Sequence, residues 1–114
     1  MQKDIINEGK LYITSEDLTA VKSYYSKLIN TSFDIDLNYQ FIYKELFLHS
    51  CYVGNKDIIK WLTNLYFTFD DVTKIALRQL FPYAKYILIN KQHKHVIDWY
   101  DKEFLPTIRI SNKN

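Results

Sequence analysis

"HSCYVGNKDIIKWL", residues 49–62, decides how this chain is read. The small residues Ser50 and Cys51 are followed by Gly54, Asn55 and then an apolar run at helical spacing. A residue just past the last turn of a helix takes a positive φ, which glycine does without steric cost, and Asn is among the best N-caps. The stretch therefore reads as the junction of two packed helices, the second carrying Ile58, Ile59, Trp61, Leu62 and Leu65 on its apolar face. Small side chains at Ser50 and Cys51 suit a close helix crossing, with larger apolar groups filling the next layer. The layout returns 38 residues later in "ILINKQHKHVIDWY", residues 87–100, where Trp99 stands in the place of Trp61.

Outward from this junction the pattern stays helical. In "TSEDLTAVKSYYSKLIN", Thr14 or Ser15 is the expected cap, Glu16 and Asp17 favour the positive helix end, and Leu18, Val21, Tyr24, Tyr25 and Leu28 form one stripe. "LNYQFIYKELFLHSCYV" is apolar for so long that either both faces are covered or two short helices are joined. Downstream, Asp70 or Asp71 caps "VTKIALRQLF", whose stripe is Val72, Ile75, Ala76 and Leu80. Pro82 suits a first turn and opens the next helix; a last one runs from about His93 to Phe104, and Pro106 stops it before a frayed tail.

Composition agrees with an all-α chain of one domain. The 114 residues are 47% hydrophobic and 17% aromatic, and the scarcity of turn formers, with two Gly and two Pro, disfavours the many tight turns of an all-β fold. A net charge of +2 is too balanced for the broad basic footprint of a dedicated nucleic-acid binder. A single cysteine allows no internal disulfide, and neither a secretory leader nor a membrane-spanning stretch is recognisable. The expected location is intracellular and cytoplasmic.

A self-alignment at 38 residues brings together Ala20, Ile58 and Val96; Val21, Ile59 and Ile97; Tyr24, Leu62 and Tyr100; and Leu28, Tyr66 and Phe104. These columns stay apolar in all three copies. A period in this range is the mark of a solenoid, whose helical units stack because none buries its own face alone. Units of about 10–30, 34–66 and 70–104 are expected, with a tail at 105–114 and no evident helix before the first.

"ELFLHSCYVGNKDIIKWL", residues 45–62, resembles the ankyrin repeat: Ser50 and Cys51 fall at the small pair closing its first helix, Gly54 and Asn55 at its turn, and Ile58 to Leu62 on its second helix. In the third unit Gln92 and His93 replace the Gly-Asn pair. The Ile-, Lys-, Asn- and Tyr-rich style resembles divergent ankyrin-like proteins of amoebae and their giant viruses, which would make the location a host cytoplasm. The resemblance implies a short solenoid of helix pairs that binds protein partners on the exposed side of its first helices.

Candidates for chemistry each meet a simpler structural reading. Cys51 and His49 stand two apart on one helix and point to different faces, so a buried, inert thiol is favoured over an activated nucleophile. His93 and His95, with Asp98 or Glu103, lack the second ligand pair that a metal site requires. The pairs Asp34/Asp36 and Asp70/Asp71 precede helical patterns and read as caps. Gly9 and Gly54 are the only glycines, so a phosphate-binding glycine loop is excluded. No catalytic group, metal or cofactor is expected.

Ten tyrosines are more than a small core absorbs, and Tyr is a favoured contact residue at interfaces. Tyr39, Tyr43, Tyr52, Tyr83 and Tyr86 lie on or near the first helices and are the expected partner contacts. The alternative is a nucleic-acid patch of Lys85, Lys91, His93, Lys94 and His95. With so few units an end face could also drive self-association, through Tyr24/Tyr25 or Trp99/Tyr100.

Overall fold

The computed structural model describes residues 2–30 and 38–111, and all of their regular structure is helical. In chain order the elements are α1 (Gln2–Thr14), α2 (Leu18–Asn30), α3 (Tyr39–Val53), α4 (Lys56–Tyr66), α5 (Asp71–Leu77), α6 (Leu80–Asn90), α7 (Lys94–Trp99) and α8 (Leu105–Ser111). A π-helical turn, Tyr100–Phe104, joins α7 to α8 without a break. Helix α3 lies between α1 and α6, while α2 packs on α1 and α4, and α7 packs on α6. The molecule measures 37 × 35 × 20 Å. Its short dimension is that of two helix diameters, as two layers of helices require.

The turns follow the sequence spacing. Residues in the left-handed region occur at Glu16 (φ 55°), Gly54 (φ 82°) and Gln92 (φ 59°), each 38 residues from the next. Helices α2, α4 and α7 begin at the same interval, at Leu18, Lys56 and Lys94. The residue before each has a matching place: Asp17 Oδ1 accepts from the Ala20 N–H (3.0 Å), and Asn55 Oδ1 accepts from the Ile58 N–H (3.0 Å). His93 makes no side-chain cap. Its Nε2 instead reaches the Tyr52 carbonyl at 2.9 Å, and Asn55 Nδ2 likewise donates to Glu16 Oε1 of the preceding turn at 3.3 Å.

Between each antiparallel pair a tyrosine hydroxyl donates to a backbone carbonyl 19 residues away. Tyr24 donates to Ile5, Tyr43 to Leu62 and Tyr100 to Phe81, at 2.5, 2.6 and 2.7 Å. In the middle pair the tyrosine stands on the first helix; Tyr24 stands on the second helix of its pair, and Tyr100 opens the π turn that continues the second helix of its own. A buried hydroxyl left unbonded would cost about 1–3 kcal/mol, so each tyrosine is fixed to its own pair. Around them the core is aromatic: Phe81 meets Phe47, Tyr66 and Phe104 edge-on, with ring centroids 5.3, 4.7 and 4.9 Å apart.

Several expectations are corrected. Residues Gln2–Thr14 form a helix where none was evident: Gly9 sits inside α1 because a Cβ there would lie 2.6 Å from Leu46 Cδ2 and 2.8 Å from the Tyr24 ring. Neither Thr14 nor Ser15 caps α2; Thr14 closes α1, Ser15 Oγ returns to the Leu11 carbonyl, and Asp17 takes the cap. The long apolar run is one helix, α3, capped by Asn38. Asp70 caps α5 through the Thr73 N–H, but α5 ends at Leu77, and Val72 and Ile75 are 74% and 61% exposed. A seven-residue helix covering one edge of α3 turns only part of its apolar surface inward. Helix α6 starts two residues before Pro82, which stays in the first turn, where its missing N–H costs no intrahelical bond. Pro106 does not stop the last helix: the π turn hands the Leu105 N–H to the Tyr100 carbonyl, and α8 runs on to Ser111 where a frayed tail was expected. Asp34 and Asp36 lie outside the described residues.

Candidate functional site

Helices α3, α5 and α6 enclose an open groove of about 570 Å³. Leu48, Ala76, Leu80 and Tyr83 line it, with Lys44 and Glu45 on the α3 side. Its shape follows from the sequence: α5 is too short to fill the space beside α3, and the turn at Arg78–Gln79 sets α6 off at a new start. Ile75 and Tyr83 (59% exposed) offer exposed apolar surface, and Phe41 and Tyr52 are exposed along α3. Glu45 is drawn toward α1 by Lys10 at 3.9 Å.

The predicted tyrosines separate into three environments. Tyr52, Tyr83 and Tyr86 are exposed. Tyr43 is 1% exposed and bonded to Leu62, so it is a core residue and offers a partner nothing; burial pushes its hydroxyl well above the ordinary tyrosine range. Tyr39 is half-buried, and its hydroxyl has no hydrogen-bond partner among the described residues. Leu48 lines the groove and Ile75 is exposed beside its lining residue Ala76, yet sequence alone did not single them out as contacts. The signal that could have marked Ile75 is the brevity of α5, which leaves the outer side of its stripe uncovered.

Several of the basic residues are already engaged within the fold. Lys85 is paired with Asp101 at 2.8 Å, and the Lys91 ammonium sits 4.2 Å from the centre of the Tyr52 ring. His93 is half-buried under its bond to Tyr52, leaving Lys94 and His95 exposed beside it. Tyr24, Tyr25 and Tyr100 are buried core residues, and Trp99 is half-buried in a stack with Phe104 at 5.9 Å, so of the four expected end-face contacts Trp99 alone keeps substantial exposed surface.

Cys51 is fully buried, and burial pushes its thiol up to about 12, where no thiolate forms near neutral pH. His49 does not face it; its Nε2 lies 2.8 Å from Thr14 Oγ1, tying α3 to α1. Among the described residues no three His, Cys, Asp or Glu side chains come together as a metal site would require.

Burial, and secondly the Lys10 ammonium, hold the His49 imidazole below its ordinary range, against a smaller opposing pull from the Lys10 backbone. The folded state therefore binds fewer protons here than the unfolded chain, whose imidazole titrates near about 6.5. Stability from this group is complete above that value and falls as the pH drops below it. Thermal unfolding at about pH 7.5 and about pH 5 should show His49→Gln losing less stability than the parent on acidification. Equal losses in the two proteins would remove His49 from the acid response.

No helix among the described residues is long and apolar enough to cross a membrane. No known protein family, curated protein or solved structure matches the chain.

Proposed function

We propose that the chain is a short ankyrin-like solenoid of helix pairs, acting without catalysis as an intracellular protein-protein interaction module. The 38-residue interval shared by the left-handed turn residues and by the starts of α2, α4 and α7 supports the repeat reading. The observation that carries the function is the groove between α3, α5 and α6, with Tyr83 exposed in its lining and Ile75 exposed next in sequence to the lining residue Ala76. Exposed apolar side chains in one concave place supply binding energy when covered, and Tyr does so at low entropic cost. An apolar segment of a partner, its side chains entering between Leu48 and Tyr83, suits this surface better than a phosphate backbone would. Among the described residues, Lys44 is the only cation lining the groove.

Affinity capture from source-cell lysate, at low and at high salt, tests the reading. A protein retained at high salt by the parent and lost by Tyr83→Ala and Ile75→Asp is the expected result; both positions are exposed, so melting temperatures should barely move. Retention of nucleic acid alone, released as salt rises, would transfer the function to the surface around Lys94 and His95.

A further inference from the structure

The two ends of the helix stack are complementary in a way that neither groove residues nor turn residues show separately. Where α1 meets α3, Lys10 pairs with Glu45, Gly9 lies against Leu46, and Thr14 bonds His49. A shift of the first member of each pair by two intervals of 38 falls on the outer side of α6. Tyr86 takes the place of Lys10 and Lys85 that of Gly9. Tyr86 is 67% exposed there, and a groove of about 500 Å³ opens beside it, lined also by Pro82 and Ile89 of α6 and by Leu105 and Ile108 of α8. Shifting the second members back by one interval falls on α1, where Asn7 and Glu8 correspond to Glu45 and Leu46 and are exposed.

We infer that the α6–α8 groove receives α1 of a second copy of this chain, one further 38-residue step along the stack, with Glu8 of that copy meeting Lys85 and Asn7 meeting Tyr86. The turns agree with the same register. In the first junction Asn55 donates to Glu16, and in the second His93 reaches Tyr52 beside Gly54. The next step sets the Gln92 amide, a donor, against the carboxylate of Asp17, an acceptor. Charge is opposite at the paired positions: Lys85, with Arg78, borders the receiving groove, and Glu8 lies exposed on α1, which also exposes Asp4 and Lys3. Asp101 shares Lys85 at 2.8 Å and would keep it aimed across the junction. Such a contact uses different surfaces on the two copies. It does not close on itself, and it adds copies in line.

This inference rests on the repeat-stack reading, and its test is independent of the Tyr83 groove. Sedimentation of the full chain over a dilution series at low salt should show a mass that rises with concentration past the dimer. Glu8→Lys and Lys85→Glu should each weaken the association at least about tenfold, and mixing the two variants should restore it, since each then presents a matched end to the other. Lys85→Glu also forfeits the Asp101 pair; should that variant fail to fold, Tyr86→Ala, at an exposed position, takes its place as the tail variant and must weaken association alike. A monomer at every concentration, a mass that stops at the dimer, or association indifferent to Glu8→Lys would each overturn the inference. In the first case, Tyr83-dependent capture of a protein would leave the interaction module standing without self-stacking.

Discussion

Phe81→Ala is expected to cost about 3–5 kcal/mol, a large part of the stability of a domain this size. The ring is 1% exposed and holds three aromatic neighbours from three different elements: Phe47 on α3, Tyr66 on α4 and Phe104 in the π turn. Truncation removes the edge-to-face contacts of all three at once. The cavity it leaves cannot collapse easily, because the Phe81 carbonyl remains bonded to the Tyr100 hydroxyl and α6 is held in place. Urea unfolding should show the midpoint falling with the slope unchanged, and Phe81→Leu should recover most of the loss. Two residues on, Tyr83→Ala should stay within about 0.5 kcal/mol. Similar costs at the two positions would contradict the assignment of Phe81 to the core and Tyr83 to the surface.

Gly54→Ala is expected to cost about 2–3 kcal/mol from two sources. A Cβ at φ 82° carries left-handed strain of about 1–2 kcal/mol. It would also collide with the His93 ring, which must move and give up its bond to the Tyr52 carbonyl, worth about 1 kcal/mol. The second source depends on His93, so the two sites are coupled. In a His93→Ala background, Gly54→Ala should cost only the backbone strain, and a double-mutant cycle on urea midpoints reads the difference. Strict additivity would mean that the ring yields freely and that the junction between the second and third turns is loose.

Gly54 was also the most legible position in the sequence, for the same reason: only glycine takes that conformation without strain, so its presence announced the turn. Glu16 and Gln92 adopt the same left-handed geometry but carry ordinary side chains; the turn at Gln92 was located through its spacing from Gly54, whereas Glu16 was read as part of the first turn of α2. Helix α1 escaped notice because its stretch is polar and holds a glycine; the need for Gly9 lies in Leu46 and Tyr24, which are distant in sequence. In α5 the periodicity marked a stripe correctly as helical, yet a period does not say which side finds a neighbour. The same holds for the tyrosines. Tyr43 and Tyr83 are one residue type at similar places on first helices, and what separates them is a carbonyl at Leu62 in reach of one and solvent around the other.

The tyrosine latches also set what could be recombined. Each ties the two arms of one hairpin, but the donor changes arm between the middle hairpin and its neighbours. A chimera joining α3 to α7 and its π turn would bring Tyr43 and Tyr100 into one slot, and its reciprocal, α6 with α4, would set Phe81 against Leu62 with no hydroxyl between them. Whole hairpins can therefore be transplanted, duplicated or deleted with their latch intact, whereas single arms cannot be exchanged, and the hairpin is the cassette on which rearrangement of this chain would act.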